Sequence, residues 1–553
     1  MSFKNRKFKR LRRAYLVMAV LLVGCTVLAP DNVGKTQSQS PIPQVTEGHG
    51  PQASETVIQS VSPTPSLDTT DISVEASATS RIFLPVITQA PTLPPVGGGR
   101  AFFAAPNGTT NGDGSLERPF DLAYAIEDKA KTGFFQPGDV IWVRGGTYGR
   151  GGLTYFNSHL QGTVDRPIVV RAYPGERPVI NGSIKIYKPN VIFWGLEVIN
   201  TDPNRTSQYS GSFPNDIYRE DAFSVYATNV KLINNIMHDA AEGVYADDRA
   251  PDVVIYGNLI YNNGWKGPDR GHGHGIYAQN QQGSKWIEDN IIFNNFSGYN
   301  LHVYRENDYP LLNFNLDGNV TFNGTFLIGG RQPVRNVILT NQFTYNETVA
   351  LGFSENAQNQ NVRLQNAYLF NRGDYALEVK AWQGITLDHN VLGGQTAPLV
   401  NLVQSFGAWD DNQYHFSLSG TPFLINGQGR SWDQWRSQTG FDSHSTFTPA
   451  LPSATQVFMR SNRYESKRGH IVVYNWAKQN EALVDLKALG YQLGDRYEIR
   501  NAQNFEEKIS GIYQGEPVAL PLNNWSVAKP IGWPDPLHPV TLPEFGAFIV
   551  LAP

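Results

Sequence analysis

The sequence predicts an all-β protein whose main part is a parallel β-helix, and three observations support this. An asparagine followed by a short apolar run returns at spacings of 22 to 32 residues, at Asn235, Asn258, Asn290, Asn319, Asn341, Asn366 and Asn390. Such a period marks a repeat architecture, and each unit is long enough for a few short strands but too short for a helical pair. Stacked asparagines can hydrogen-bond from layer to layer. The 52 glycines and 12% aromatic residues also suit a turn-rich β protein.

The first 25 residues are predicted to be a lipoprotein signal. Seven basic side chains lie within residues 1–13, and the apolar run that follows, 14–24, is too short to span a membrane comfortably. The segment Leu22-Val23-Gly24-Cys25 resembles a bacterial lipobox, which implies cleavage before Cys25 and attachment of lipid to it. We therefore expect an exported protein, lipid-anchored to the outer face of the bacterial cell membrane or cell surface. A secretory signal cut after Ala29, or an uncleaved anchor, is the alternative.

Residues 26–98 are rich in Ser, Thr and Pro and are predicted to form a disordered tether. Removing residues 1–24 leaves 38 basic against 49 acidic side chains, which argues against a nucleic-acid partner because phosphate binding needs a basic face. The same charge weakly disfavours an acidic polysaccharide unless local arginines or a bound cation reverse the field. A monomer is expected.

The folded part is predicted to begin near Arg100. The segment 102–108, an amphipathic helix at about 121–131 and the run 137–148 together resemble the first coil of secreted pectate-lyase-like proteins. That resemblance covers roughly residues 101–400 and implies a right-handed single-stranded parallel β-helix with an N-terminal capping helix, assigned to residues 99–455. Five short strand patterns follow within 456–553 and predict a small C-terminal antiparallel β-sandwich, at 471–476, 483–486, 497–500, 518–522 and 547–551.

Strand alternation predicts which side chains line the outside of the β-helix. One set of strands begins 13–19 residues before each asparagine. Its inward positions are predicted to be Val244, Ile276, Leu301, Phe326, Leu351 and Leu377. The first outward column is predicted to be Tyr245, Tyr277, His302, Leu327, Gly352 and Glu378. The second is predicted to be Asp247, Gln279, Tyr304, Gly329, Ser354 and Lys380. This aromatic, mixed-charge face predicts an elongated groove for a polymer.

Three residues just before these strands resemble part of the polygalacturonase pattern. Asp221, Glu242 and His274 stand where that family carries its Asn-Thr-Asp-Gly, Asp-Asp and Gly-His-Gly motifs, although Glu242 replaces the aspartate pair. Hydrolysis needs one carboxylic acid to protonate the leaving oxygen and a second carboxylate to activate water or attack the sugar. Acidic and glycine residues are also ordinary turn residues in β-helix repeats, which is the structural alternative.

The two longest coils gather the most reactive side chains, and they predict a different chemistry. A polysaccharide lyase neutralises a uronate carboxylate, abstracts a proton and protonates the leaving oxygen. Arg305 or Arg270 could neutralise, His302 or His274 could be the base, and Tyr304 or Tyr277 the acid. The residues predicted to bind substrate are Tyr245, Tyr277, Arg270, Arg331 and Lys380.

Many lyases of this fold use Ca²⁺ held by acidic side chains, and here Asp247, Asp248 and Asp269 are the candidates, with Lys380 as base. The sequence thus favours a cell-surface polysaccharide lyase acting by β-elimination on a uronate-containing glycan. The alternatives are a hydrolase of polygalacturonase type that uses Asp221, Glu242 and His274, and a glycan-binding or adhesive β-helix without catalysis.

Overall fold

The computed structural model describes residues 98–306, 309–417 and 420–553. The predicted signal, Cys25 and the tether up to residue 97 lie outside these ranges, so they stay predictions. Across the described ranges, the structure contains no helix with the length and apolar character needed to cross a membrane.

A short helix closes the N-terminal end of the solenoid. It consists of α1 (Leu122–Tyr124), which continues into a π-helical turn (Ala125–Lys129). The Asp121 carboxylate accepts a hydrogen bond from the Tyr124 backbone N–H and so caps the first turn. Leu122 and Ile126 are buried in the solenoid's apolar interior. The predicted capping helix is therefore confirmed, because its apolar stripe needs the open end of the solenoid as a partner.

The solenoid has about 11 turns and three sheets of parallel strands, so the predicted parallel β-helix is confirmed. Sheet 1 contains β1 (Ala101–Thr109), β2 (Val140–Val143), β5 (Ile168–Ala172), β8 (Val191–Trp194), β11 (Lys231–Ile233), β14 (Val253–Tyr256), β19 (Lys285–Glu288), β22 (Leu311–Asp317), β24 (Val334–Thr340), β26 (Asn359–Gln365), β29 (Trp382–Asp388) and β32 (Phe406–Asp410).

Sheet 2 contains β3 (Gly146–Gly149), β6 (Pro178–Asn181), β9 (Glu197–Ile199), β12 (Ile236–His238), β15 (Leu259–Tyr261), β20 (Ile291–Phe293), β27 (Tyr368–Asn371), β30 (Val391–Gly394), β33 (Gln413–Phe416) and β36 (Thr446–Thr448). Sheet 3 contains β4 (Tyr155–Ser158), β7 (Ser183–Ile186), β10 (Phe223–Val225), β13 (Val244–Ala246), β18 (Ile276–Ala278), β21 (Tyr299–Val303), β28 (Leu377–Lys380), β31 (Val400–Val403), β34 (Phe423–Ile425) and its antiparallel neighbour β35 (Gln428–Arg430). Two long strands, β23 (Val320–Ile328) and β25 (Phe343–Leu351), pass from sheet 2 into sheet 3 without a turn.

The asparagine ladder is present, but it does not use every predicted residue. The Nδ2 of Asn235 donates to Oδ1 of Asn258, and the pattern repeats through Asn290 to Asn319. The next positions are Gln342 and Ala367, and then Asn390 and Asn412 resume the ladder. The assignments of Asn341 and Asn366 to the ladder were therefore wrong. Both residues have positive φ, 53° and 54°, and occupy the turn position just before the ladder, which asparagine tolerates better than most residues.

The C-terminal residues form a five-stranded and a two-stranded antiparallel sheet, as predicted for a small sandwich. The larger sheet runs in the order β37 (Gln456–Ser461), β38 (Gly469–Tyr474), β43 (Phe545–Leu551), β40 (Arg496–Asn501) and β41 (Asn504–Ile512), and the smaller pairs β39 (Glu481–Val484) with β42 (Val518–Pro521). A 3₁₀ turn (Leu486–Leu489) lies among these strands, whereas α2 (Trp432–Thr439) packs through Trp435 on the last coils of the solenoid.

The larger C-terminal sheet covers the outer face of sheet 2. Aromatic residues of sheet 2 such as Phe322 and Tyr345 pack with Tyr474 and Phe545 of the C-terminal sheet in one buried cluster. On sheet 3, by contrast, the outward-pointing Tyr245 and Tyr277 are half-buried. The outer face of sheet 3 thus presents polar and aromatic side chains that the C-terminal sheet does not cover.

The predicted columns on sheet 3 hold for four coils and then slip by two residues. Val244, Ile276, Leu301 and Phe326 are in register and buried, but Phe326 pairs with Val349 rather than with Leu351. The first outward column therefore continues from Leu327 to Ala350 and Glu378, and Gly352 belongs near the second column in place of Ser354. The straight passage of β25 between two sheets causes this, because it removes the turn that the spacing assumed.

A pair of hydrophilic excursions flanks sheet 3. The β9–β10 loop comprises residues 200–222, and a hairpin is formed by β16 (Trp265–Lys266) and β17 (Gly271–His272). The two are joined by a bridge between Thr206 and Lys266.

Candidate functional site

Asp221, Glu242 and His274 occupy the same position on three successive coils. Each stands two residues before the strand residues Phe223, Val244 and Ile276, which pair directly with one another. Backbone hydrogen bonds continue the pairing, from Ala222 N–H to the Glu242 carbonyl and from Gly243 N–H to the His274 carbonyl. Since neighbouring strands lie ~4.8 Å apart, the three side chains form one column along the solenoid. We call these residues the carboxyl–histidine column.

Two glycines allow the coils to approach closely at this column. Gly243 follows Glu242, and a Cβ there would lie 2.5 Å from the Gly275 carbonyl oxygen and 2.4 Å from a methyl of Ile260. Gly275 follows His274, and a Cβ there would lie 2.4 Å from the Asn300 carbonyl oxygen. The Glu-Gly and His-Gly pairs are therefore explained by packing as well as by chemistry: the glycine permits the close approach, and the residue before it points outward.

The two carboxyl groups of the carboxyl–histidine column, Asp221 and Glu242, have different surroundings. Burial, and next the Glu242 carboxylate, raise the pKa of Asp221 well above its ordinary value. The Asp221 Oδ2 accepts a hydrogen bond from the Ser224 hydroxyl at 2.8 Å. The Oε1 of Glu242 is 3.0 Å from Nδ1 of His274, while its buried Oε2 has no hydrogen-bond partner within the described ranges. Asp221 is thus suited to carry a proton, and Glu242 is a carboxyl group with one oxygen bound to His274 and the other buried without a partner.

The column continues through a second histidine. Nε2 of His274 is 3.0 Å from Nδ1 of His302. An ionised Glu242 only accepts, so His274 donates to it from Nδ1; a neutral His274 then accepts at Nε2 from His302, and a protonated one donates to His302. Burial, and then His274, lower the pKa of His302 to about 2, so His302 is neutral. The His302 ring stacks between Tyr299 and Tyr304, with centroid distances of 4.5 and 4.9 Å.

The predicted cationic residues around this site are engaged by carboxylates. Arg305 Nη1 donates to Asp248 at 2.5 Å and to Gln279 at 3.0 Å. Arg331 lies 2.9 Å from Glu306, whose second oxygen accepts from the Tyr304 hydroxyl at 3.2 Å. The other ion pairs near sheet 3 are Lys185–Glu220, Arg249–Asp247, Arg270–Asp269 and Lys380–Glu378.

The structure brings some predicted binding residues to the column and separates others. Tyr245 and Tyr277 lie directly beside it on β13 and β18, and their rings stack at 6.0 Å and 17°. Lys380, however, lies on β28, three coils beyond His302. Arg270 lies on the hairpin, where it binds Asp269 and the Ser212 hydroxyl rather than reaching sheet 3.

The three aspartates proposed for Ca²⁺ do not form one group. Asp247 and Asp248 lie in the turn after β13 and are ion-paired with Arg249 and Arg305, whereas Asp269 lies on the hairpin with His272 and Arg270. A hard cation such as Ca²⁺ needs the negative charge of its carboxylate ligands, and here arginine side chains already neutralise that charge. Within the described ranges, the group of three side chains with ligand atoms within 4.8 Å of one another is Asp410, Asp411 and His444, at the far end of the solenoid.

Sequence reasoning missed the polar residues on the N-terminal side of the column. Lys185 on β7 pairs in register with Ser224, and its Nζ lies 3.0 Å from Glu220 Oε2. The Tyr155 hydroxyl donates to Oε1 of the same glutamate at 2.8 Å. Glu220 also contributes to the raised pKa of Asp221. The available signal was the spacing between β7 and β10, which the 23-residue β9–β10 loop concealed.

The known proteins that this chain resembles share its fold at low sequence identity. No protein-family model and no curated protein matches this chain. Among solved structures, the chain is similar to a pectate lyase (15% identity, 60% of this chain and 82% of that chain, TM-score 0.36). It is also similar to the mannuronan C-5 epimerase A-module of Azotobacter vinelandii (14%, 60% and 93%, 0.40). A third similar structure is a lacto-N-biosidase from Eubacterium ramulus (11%, 64% and 68%, 0.40).

Proposed function

We propose that this protein cleaves glycosidic bonds in a neutral polysaccharide or oligosaccharide bound along the outer face of sheet 3. The observation that carries the proposal is the pair of carboxyl groups on adjacent coils, Asp221 with a raised pKa and Glu242 with one unpartnered oxygen. Glycoside hydrolysis requires one carboxyl group that donates a proton and a second carboxylate that acts as nucleophile or base.

In this mechanism, Asp221 donates its proton to the glycosidic oxygen as the bond to the leaving sugar breaks. The Glu242 carboxylate, oriented by His274, attacks the anomeric carbon, and a covalent ester forms. Water, deprotonated by the ionised Asp221, then hydrolyses the ester, and Asp221 regains its proton. Adjacent coils lie ~4.8 Å apart, and two carboxyl groups at that spacing would fall nearer the ~5–5.5 Å of retaining enzymes than the ~6.5–9.5 Å of inverting ones.

The charges of the face favour a neutral substrate over a uronate. Six cations on or beside sheet 3 are each paired with a carboxylate, namely Lys185, Arg249, Arg270, Arg305, Arg331 and Lys380. A uronate would bring another negative charge next to Glu242 and would have to break one of these pairs. This argues against the β-elimination that the sequence favoured.

β-Elimination remains a second candidate because of one observation. His302 is neutral, donates from Nδ1 to His274, and therefore has Nε2 available as a proton acceptor beside the Tyr304 ring. In that reading His302 takes the proton from C5 and Tyr304 protonates the leaving oxygen. Its low pKa makes His302 a weak base, which places this candidate second.

A screen of neutral and uronate-containing polysaccharides tests the proposal with the wild-type protein, Asp221→Asn, Glu242→Gln and the control Glu378→Gln. Glu378 is also a half-buried glutamate on sheet 3 but lies three coils beyond His302. We expect new reducing ends from a neutral glycan, without the ultraviolet absorbance of an unsaturated product. Asp221→Asn and Glu242→Gln should abolish this activity, and Glu378→Gln should retain it.

Proton NMR of the first-formed product should then show the anomeric configuration of the substrate. An unsaturated product from a uronate would support elimination instead, and retention of glycan without cleavage would support a binding protein. Full activity in Glu242→Gln would contradict the assigned site. The lipid anchor at Cys25 and the location at the cell surface are further proposals, tested by palmitate labelling of the wild type and of Cys25→Ala.

A further inference from the structure

The β9–β10 loop, which leads into Asp221 of the carboxyl–histidine column, exposes three large aromatic side chains. Phe213 is 96% exposed, Tyr209 is 58% exposed and Tyr218 is 48% exposed. Exposing apolar rings together costs free energy in water, and such patches usually mark a binding surface.

Buried arginines hold the base of this loop in place. Arg219 donates from Nη1 to the Asn200 carbonyl at 2.9 Å and also binds the carbonyls of Asp202 and Asp239. Arg205 is fully buried, pairs with Asp239 and donates to the Ile531 carbonyl at 2.9 Å. The exposed rings therefore stand on an anchored scaffold, so they need less ordering when a ligand binds.

The loop is connected to the carboxyl–histidine column at two points, through the chain at its C-terminal end and through a contact with the hairpin at its tip. Tyr218 precedes Asp221 by three residues. At the tip, the Gly211 N–H donates to Asp269 at 3.3 Å, and Asp269 also lies 3.0 Å from Nε2 of His272. His272 ends the hairpin two residues before His274. The loop and the hairpin thus form a wall beside the column.

The loop rings differ from the tyrosines of sheet 3 in what their faces meet. Tyr187 and Tyr226 stack at 5.4 Å and 11°, and Tyr245 and Tyr277 stack at 6.0 Å and 17°. Those rings cover one another, so they offer edges and hydroxyl groups to a ligand. Exposure leaves the Phe213 ring with both faces in solvent.

We propose that Tyr209, Phe213 and Tyr218 form a stacking subsite for a sugar ring of the substrate next to the bond that is cleaved. The C–H face of a pyranose is apolar and packs against an aromatic face, while its hydroxyl groups at the rim stay in water. A sugar ring is the expected occupant because the loop leads directly into Asp221 of the carboxyl–histidine column. The position of this subsite along the glycan rests on the proposed function.

Affinity electrophoresis of the full chain tests the subsite in two inactive backgrounds, Glu242→Gln and Asp221→Asn. The probes are soluble galactomannan, xyloglucan, mixed-linkage glucan and arabinoxylan. Phe213→Ala should weaken retardation by the best probe about tenfold, and the triple alanine variant should weaken it further. Phe213→Trp should retain binding. The control is Phe406→Ala, since Phe406 is 62% exposed on sheet 1, away from the column.

The proposal is overturned if no probe is retarded, or if the triple variant binds as tightly as the Phe406→Ala control. Activity gives an independent reading: with an active protein, Phe213→Ala should raise KM and leave kcat and the thermal midpoint unchanged. Cleavage with an unaltered KM in the triple variant would reject the subsite and leave the proposed function intact. Retardation that depends on Phe213 without any cleavage would reject the proposed function and leave the subsite.

Discussion

Glu242 and His274 lie on adjacent coils and share a hydrogen bond, with 3.0 Å between Oε1 and Nδ1. The contact continues to His302 on the third coil, at 3.0 Å from His274 Nε2. An ionised Glu242 accepts from Nδ1 of His274, and this contact orients the imidazole ring toward His302. The solenoid thereby sets the orientation of a carboxylate by stacking residues that are 28 to 32 positions apart in the chain.

Removing His274 should lower activity without removing the chemistry. His274→Ala frees Oε1 of Glu242 to rotate, and we expect kcat to fall about 10- to 100-fold, as for other residues that orient a reacting group. His302→Ala should cost less, because it acts on Glu242 through His274. The control is His444→Ala, an exposed histidine paired with Asp410. A complete loss in His302→Ala with a mild effect of His274→Ala would favour elimination by His302.

The alkaline limb of the pH profile should respond to two charges beside Asp221. Asp221 must be protonated to act as an acid, so activity falls as pH rises through its pKa. Glu220 raises that pKa and Lys185 lowers it. Glu220→Gln removes a negative charge and should move the limb to lower pH, while Lys185→Met should move it to higher pH. For a partly exposed pair we expect shifts of about 0.5 pH unit.

The two shifts in kcat/KM must have opposite signs, which separates electrostatics from general damage. Two shifts in the same direction, or none, would show that Asp221 does not set this limb. Thermal midpoints of both variants measured at one pH serve as the control for folding.

The sequence predicted what repeats, and it missed what departs from the repeat. The buried column Val244, Ile276 and Leu301 follows from strand alternation, as does the placement of His302 on the outer face. The register failed at Leu351 because β25 runs straight from sheet 2 into sheet 3, and no local residue signals a missing turn.

The candidate site divides in the same way. Asp221, Glu242 and His274 could be aligned because each precedes a strand of similar pattern. The pairing of Arg305 with Asp248 could not be predicted, because it depends on how two turns of different length meet. The wall formed by the β9–β10 loop and the hairpin could not be predicted either. The path of this loop depends on the contacts of buried arginines and not on the repeat of the solenoid.

The corrected ladder predicts different costs for replacing two asparagines on adjacent coils. Asn390 is buried and bonds Asn412, the Ala367 N–H and the Leu364 carbonyl, so Asn390→Ala should destabilise the protein by about 1–3 kcal/mol. Asn366 is exposed, with φ at 54°, so Asn366→Gly should be close to neutral because glycine adopts this conformation freely. Chemical denaturation gives both values, and equal costs would contradict the revised register.

A buried carboxyl group on β25 should make the stability of the protein depend on pH. Glu347 is fully buried, accepts a hydrogen bond from Asn300 Nδ2 at 2.7 Å, and leaves Oε1 without a hydrogen-bond partner in the described part of the chain. Burial raises its pKa well above 4.5. The folded protein therefore holds a proton that the unfolded chain releases above pH 4.5, so the free energy of unfolding falls as pH rises from there toward the folded pKa.

Glu347→Gln keeps the shape and resembles the protonated carboxyl group, while Asn300 retains an acceptor. We expect the variant to match the wild type near pH 5 and to exceed its stability by about 1 kcal/mol or more at pH 8, since one pKa unit corresponds to about 1.4 kcal/mol. Denaturant unfolding at both pH values measures this difference. Glu355→Gln, at an exposed glutamate, is the control and should show no such difference. A Glu347→Gln variant that is less stable at both pH values would mean that Glu347 is ionised and held by partners in the folded protein.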